Sequence, residues 1–429
     1  MRVALVNPPW CFDGSIYFGC REAHLPLELG AASVLLERAG HSSRMFDGAL
    51  DAMDLRGVAD AVADYGPDLT VVTTAPTYLF WRCAQPELRV PAAFIKVLEG
   101  RGGLTVAVGP HGSATPGAAL RKLGCDALIR GECEEAIVDL ANGVGPEGVS
   151  GLVCQGGNNG RTAESPRATR FSDLPALRWP EAWIDRHHHH HHRFDRTPDG
   201  PGAEVEASRG CPYHCSFCAK IDFRDGYRRR DLAALAEEID ALVEQGVRYV
   251  YFIDEIFLPW QELLSLLTVR PVQFGVQTRL DLWKPEMIER LGAAGCVSIE
   301  AGVESLSVDG RAVLDKNCRL TTEELSSRLL LAKRHVPFVQ ANLIHVAGDD
   351  PDEIRRWRER MQAGGVWAND PVPLYPYPSS PDYRKLWGAP DEQAWERAHA
   401  HYLGQFGIFS DIQEARPRPL EELEREALA

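Results

Sequence analysis

Nothing in this 429-residue chain is apolar for long enough to cross a bilayer; no run approaches the roughly 20 residues a span needs. Positive charge is also short, with 46 Lys and Arg against 61 Asp and Glu and a net charge of −15. Such a surface repels a nucleic-acid backbone, so neither nucleic acid nor membrane is expected as a partner. The one local basic cluster, RDGYRRR at Arg224–Arg230, reads as a solvated patch, or as a few phosphate or carboxylate contacts. An export signal is not evident either. MRVALVNPPW has one basic residue and a short apolar run ending at Pro8 and Pro9, the pattern of a buried strand entering a loop. The 11 cysteines are odd in number and sit in a large chain, which points to a reducing cytoplasm rather than to a disulfide framework.

Length alone predicts two or three domains. Strand-like and helix-like patterns alternate over residues 1–150: RVALVNPP, SSRMFDG, DLTVVTTAPT and LTVAVGPHG read as strands, and PLELGAASVLLERAGH reads as a helix stopped by Gly40. Alternation of this kind implies a doubly wound, Rossmann-like parallel sheet with ligands at its carboxyl edge. Residues 151–203 break the pattern with GGNNG, RTAESPRATR and six consecutive histidines, His187–His192, and read as a linker. Six tandem side chains cannot converge on one ion, so the run is expected to have no catalytic role beyond adventitious metal capture; an inserted tag is the other reading. From 204 to 368 the alternation resumes with about five or six β/α units, fewer than the eight of a closed barrel, and predicts a partial (β/α)6-type barrel. Residues 369–429 form a Pro- and aromatic-rich extension ending in a charged helix, and its Tyr375, Tyr377 and Tyr383 are candidates to close a cavity.

A fourth thiol is missing where one would be looked for. RGCPYHCSFCAK places Cys211, Cys215 and Cys218 on one loop after a strand, and no second cysteine pair follows. Zinc staples pair two ligands and then two more at a distance, although His214 could complete a zinc set. Thiolates at this density also suit an iron–sulfur cluster. A cubane on three cysteines leaves one iron open.

The C-x3-C-x2-C spacing, with Phe217 before the last cysteine, resembles the radical S-adenosylmethionine (SAM) superfamily. The resemblance implies a [4Fe–4S] cluster on Cys211, Cys215 and Cys218. It also implies SAM chelated to the open iron and reductive cleavage to a 5′-deoxyadenosyl radical. It implies further cofactor contacts at strand ends: Asp254 and Glu255 in YFIDEIF, Gln277 and Arg279 in QTR, and Glu304 and Ser305 in GVES. Gly348 in HVAGDDPDE departs from the family's glycine-rich form.

The N-terminal NPP, VGPHG and RGECEEAI loops resemble the cobalamin-binding domain fused to one branch of that superfamily. This implies corrin contacts from Gly109, His111, Arg130, Gly131 and Glu132, and nucleotide contacts from Thr73, Thr74 and Thr77. Tyr78 is expected over the lower cobalt face, because the D-x-H-x-x-G motif of other cobalamin enzymes is lacking. A flavodoxin-like fold without that cofactor is the alternative. The expected activity is methylation of an unactivated carbon of a small molecule, fed by a flavodoxin- or ferredoxin-type electron donor. The alternatives are a cobalamin-using radical cyclisation, ring contraction or epimerisation, or a non-catalytic cobalamin or redox sensor.

Overall fold

The structure, a computed structural model, describes residues 1–17, 22–77, 84–155, 170–187, 200–224, 226–406 and 416–426. Fourteen strands are described within them. The first sheet takes β1 (Arg2–Asn7), β2 (Ser42–Asp47), β3 (Leu69–Thr73), β4 (Leu104–Val108), β5 (Ala127–Ile129) and β6 (Leu152–Cys154) in the order β2-β1-β3-β4-β5-β6. All its pairings are parallel except β5 with β6. The sheet therefore runs on to Cys154, a few residues beyond the pattern break at 150.

β3 is buried along its whole length because both faces of the sheet are covered. Helices Leu27–Arg38 and Glu134–Ala141 pack together beside Val3, Leu5 and Val71. Helices Leu55–Tyr65 and Arg89–Leu98 pair beside Ala4, Val6 and Val72. Alternate residues of one strand thus feed opposite cores. The helix from Leu55 starts where Asp54 accepts the Gly57 N–H at 2.7 Å and stops at Gly66 in the left-handed conformation. Strand order reverses between β1 and β3, which opens a crevice between their carboxyl ends.

The second sheet takes β7 (Gly202–Val205), β10 (Tyr249–Phe252), β11 (Gln273–Thr278), β12 (Cys296–Glu304), β13 (Phe338–Leu343) and β14 (Trp367–Ala368). They form an open, fully parallel sheet in the order β14-β13-β12-β11-β10-β7, the partial six-stranded barrel the repeat predicts. A two-stranded antiparallel ribbon, β8 (Ser208–Arg209) with β9 (Arg228–Arg229), brackets the cysteine loop.

Register splits this sheet into two unlike faces. Val205, Phe252, Val276, Ile299 and Val339 point into the apolar core. The opposite face carries Glu204, Tyr251, Gln277, Glu300, Gln340 and Asn342, with the Tyr251 hydroxyl 3.2 Å from Glu300 Oε1. Gly275 lets the tyrosines lie flat here, since a Cβ would stand 2.1 Å from the Tyr249 hydroxyl. A polar inner wall is the surface on which a barrel binds ligands.

The stretch before β7 is packed rather than slack. Trp179 and Trp183 stack and are buried; Trp183 donates to Asp51, and Trp179 fits only because Gly30 has no side chain. The C-terminal extension folds back on the first domain: Trp395 donates to Thr115, Lys122 meets Glu396 and Glu424, and Arg89 meets Glu426. Tyr375, Tyr377 and Tyr383 are all buried, and the hydroxyls of Tyr377 and Tyr17 are hydrogen-bonded. Among the described residues no helix is long and apolar enough to cross a membrane.

Candidate active site

The cysteine loop leaves the sheet through a constrained corner. After β7 the chain turns at Ala207, whose N–H reaches Asp254 Oδ1 at 2.8 Å, while Ser208 donates its hydroxyl to the same carboxylate. Gly210 follows with φ +77° and gives its N–H to Glu255 Oε2 at 2.8 Å. Burial raises the pKa values of both Asp254 and Glu255 above the ordinary carboxyl range. This acidic pair at the end of β10 thus fixes the start of the loop. An alanine at 210 would place its Cβ 2.2 Å from the Gly226 carbonyl oxygen, which is backbone of the facing ribbon and cannot step aside. Gly210→Ala is expected to cost about 1–3 kcal/mol in strain and displacement. Iron per chain and the thermal midpoint should both fall; an unchanged iron content would show that the corner does not position the loop.

Cys211, Cys215 and Cys218 are each half-buried residues, and none is disulfide-bonded. Desolvation raises the pKa of all three thiols, that of Cys218 to about 12. Without a metal they stay protonated near neutrality, so iron must displace the protons. Cations wait beside them. Lys220 acts on Cys211 and Cys218, and Lys316 and Arg279 act on Cys215. The far side of the loop is braced by the extension, where Asp382 N–H meets the Ser216 carbonyl at 2.9 Å and Ser216 Oγ meets Asp382 at 3.1 Å.

The strand ends around this loop hold most of the expected cofactor contacts. Arg279 stacks over Tyr213 at 4.5 Å and pairs with Asp281. Glu304 adopts φ +67°, rare for a residue with a side chain, and its carboxylate holds the buried Lys316 at 2.8 Å. Lys316 also donates to the Gly302 carbonyl, and Ser305 donates to Asp349. Buried polar atoms with no hydrogen-bond partner cluster on the same surface: Gln277 Oε1, Arg279 Nη1, Glu255 Oε1 and Gln340 Oε1. Such atoms are costly unless a ligand pairs them, so this donor and acceptor set fits a polar cofactor beside a three-thiolate cluster. Gly348 lies between strand and helix with φ +98° and open space around it.

The carboxyl edge of the first sheet faces this loop. Glu132, after β5, lies 2.6 Å from Arg228; burial alone would raise its pKa, but Arg228, Arg209 and Arg224 outweigh that and lower it. Arg209, two residues before Cys211, pairs with Glu134 at 2.6 Å and Glu206 at 2.7 Å. Arg224 pairs with Glu206 at 2.6 Å and reaches Glu28 of the first domain at 3.4 Å. The basic cluster RDGYRRR is therefore no solvated patch. Arg224 and Arg230 are buried; Arg228 reaches Glu132 of the first domain, and Arg230 reaches Glu238 on the barrel helix Leu232–Glu244. Sequence reading missed this network. Its one local signal was the excess of glutamate in RGECEE.

The other N-terminal candidates bond to neighbouring side chains and backbone of the fold. Thr73 donates to Asn7 at 3.1 Å, and Thr77 donates to Glu28 at 2.7 Å. His111 is fully buried under Trp395, with Nδ1 3.2 Å from the Thr74 hydroxyl and Nε2 2.7 Å from the Gln85 carbonyl. Burial lowers its pKa to about 3, so it stays neutral. Gly109 (φ +137°) and Gly131 (φ +72°) hold the tight turns after β4 and β5, and the Arg130 N–H is bonded to Gly151. Small turns at this edge fit the approach of a broad ring. Tyr78 and His188–His192 lie outside the described residues.

Comparison with known proteins agrees with this arrangement. Residues 205–361 match the radical SAM superfamily. An uncharacterized methyltransferase of Pyrococcus horikoshii is 24% identical over 320 residues, covering 72% of this chain and 66% of the relative. The anaerobic magnesium-protoporphyrin IX monomethyl ester cyclase of Cereibacter sphaeroides is 25% identical over 410 residues, covering 90% of this chain and 64% of the relative. The chain thus spans 64–66% of the length of these two relatives. Among solved structures, the radical SAM methyltransferase TsrM of Kitasatospora setae, with cobalamin and a [4Fe–4S] cluster bound, superposes with a TM-score of 0.70 at 18% identity, covering 91% of this chain and 79% of that one. The cobalamin-dependent radical SAM enzyme OxsB with aqua-cobalamin bound gives 0.65 at 17% identity, covering 92% and 56%. The chain therefore contains a radical SAM domain over residues 205–361, and its overall fold is the one seen in TsrM and OxsB.

Proposed function

We propose that the protein is a cobalamin-dependent radical SAM methyltransferase that acts on an unactivated carbon of a small molecule. One observation carries this reading. The carboxyl edge of a doubly wound sheet and a three-cysteine loop are held face to face by buried ion pairs, with Glu134 on one side and Arg209 on the other. When bound, the cluster with SAM would supply hydrogen-abstracting radical chemistry, and the cobalamin a transferable methyl group.

The chain's own residues do the rest. Cys211, Cys215 and Cys218 would hold iron, and Lys220, Lys316 and Arg279 offset the charge of three thiolates. Asp254 and Glu255 fix the loop's origin. Gln277, Arg279, Glu304 and Ser305 would orient SAM against the polar inner wall. Gly109, Arg130 and Gly131 would bring backbone to the corrin, while Thr73, Thr74, Thr77 and His111 would shape the layer beside it. Buried tyrosines of the extension would help keep water from the reacting atoms. A flavodoxin- or ferredoxin-type donor in a reducing cytoplasm would supply the electron.

The match of a cyclase over 90% of this chain favours a second reading, radical chemistry without methyl transfer. Reduced, reconstituted protein given SAM with a ¹³C-methyl group separates the two. Methyl transfer predicts 5′-deoxyadenosine together with label in the cobalamin fraction. Deoxyadenosine without label supports the cyclase-like reading, and neither product leaves a sensor.

A further inference from the structure

The histidine run does not behave as one unit. Its first member, His187, closes the helix Glu181–Arg186 and is only 2% exposed. Its Nε2 lies 2.6 Å from Glu204 Oε2. On the other oxygen, His24 Nδ1 lies 2.6 Å from Glu204 Oε1. Glu204 has no exposed surface and sits on the polar inner face, in register with Tyr251. The three residues come from three separate parts: the loop before the helix Leu27–Arg38, the packed linker, and the first barrel strand. Their ligand atoms all lie within 4.8 Å of one another.

We propose that His24, His187 and Glu204 form a binding site for a divalent first-row cation of the zinc type, which staples the first domain and the linker to the barrel. Two imidazoles and a carboxylate are borderline donors that suit Zn²⁺ and disfavour Mg²⁺ or Ca²⁺. Metal bonds of about 2.0–2.1 Å need ligand atoms roughly 3–3.5 Å apart, so the two 2.6 Å contacts must open while the ring nitrogens, within 4.8 Å of each other, settle around the ion. The ion would replace up to two imidazole N–H protons, which leave to solvent, and no redox change is involved. Local charge argues the same way. Glu28, Glu132, Glu134, Glu206 and Glu255 crowd the adjoining interface against Arg209, Arg224 and Arg228, and Glu204 adds a further buried carboxylate. A cation offsets that excess. The site shares no residue with the cysteine loop, and its occupancy does not depend on the methyltransferase reading.

The test uses the cluster- and cobalamin-loaded protein, purified without an immobilised-metal column, exposed to Zn²⁺ and then dialysed against a mild chelator. Retained zinc is measured by elemental analysis, and its ligands are read at the zinc absorption edge, where iron and cobalt do not interfere. The expected result is about one zinc per chain with nitrogen and oxygen neighbours near 2.0–2.1 Å. That zinc should persist when His188–His192 are replaced by serine. It should fall about tenfold or more in His24→Ala and in Glu204→Gln. Loss of zinc on replacing His188–His192, with retention in His24→Ala, would assign it to the run and overturn the proposal. So would failure of the unaltered protein to retain zinc, an arm that does not depend on any variant folding.

Discussion

Replacing Cys215 with alanine will leave a folded chain that no longer loads a complete iron–sulfur cluster. Cys215 is not part of the apolar core, and neighbouring backbone bonds hold its loop, among them Ser216 N–H to the Leu314 carbonyl. Removing the thiol therefore costs little stability. It removes one of three ligands from a site that has no spare, since burial already opposes the thiolate form of Cys211 and Cys218. Iron should drop well below the about four atoms of a cubane. Production of 5′-deoxyadenosine should fall by at least about a thousandfold, because catalysed reactions of this difficulty are accelerated by roughly a millionfold or more. The paired variant His214→Ala should keep both its iron and its product. Loss of metal from His214→Ala instead, with zinc in place of iron in the unaltered protein, would establish a four-ligand zinc staple and end the radical reading.

The second large effect is expected at Arg224. Its guanidinium lies 2.6 Å from Glu206, 3.4 Å from Glu28, 3.6 Å from Glu255 and 3.8 Å from Glu132, and all five groups are almost wholly buried. Arg224→Met leaves those carboxylates without their shared cation, a loss of about 3–5 kcal/mol. Adding Glu206→Gln should return part of it, because one orphaned charge goes too. The pH dependence has a definite sign. Burial alone would raise Glu206, but Arg209 and Arg224 outweigh it and hold it at about 2, below its ordinary 4.5. Its contribution is complete above about pH 4.5 and is lost as pH falls toward 2. Burial instead raises Glu28 to about 7 and Asp47 to about 6. These two groups make the fold less stable as pH rises from the ordinary carboxyl range toward 6–7. Thermal midpoints across pH should therefore peak in the weakly acidic range, and Arg224→Met should flatten the acid limb. Because Arg224 also ties the cysteine loop to the first domain, the variant should lose methyl transfer more than 5′-deoxyadenosine formation. Equal loss of both would mean that the pair stabilises the fold without aligning the two halves.

Local chemistry made much of this protein readable before any coordinates. Three thiols at 211, 215 and 218 fix their own loop, because ligands four and three residues apart can share one cluster whatever surrounds them. Alternating strand and helix patterns likewise announced two parallel sheets, since burial on both faces forces β-branched runs such as LTVVT. Gly210 could be seen in the sequence, but not the Gly226 carbonyl that forbids any side chain there.

Long-range pairing was illegible for the opposite reason. An arginine in RDGYRRR reads the same whether it meets water or Glu132, 96 positions away. His111 looked like a loop residue until Trp395 was laid against it, and His187 looked like one of six until Glu204 and His24 closed on it. The sequence by itself determined which elements form and which loop can hold iron, since spacing and periodicity act over a few residues. Only the tertiary structure decided which charges are buried together, because that depends on how two separately wound sheets meet.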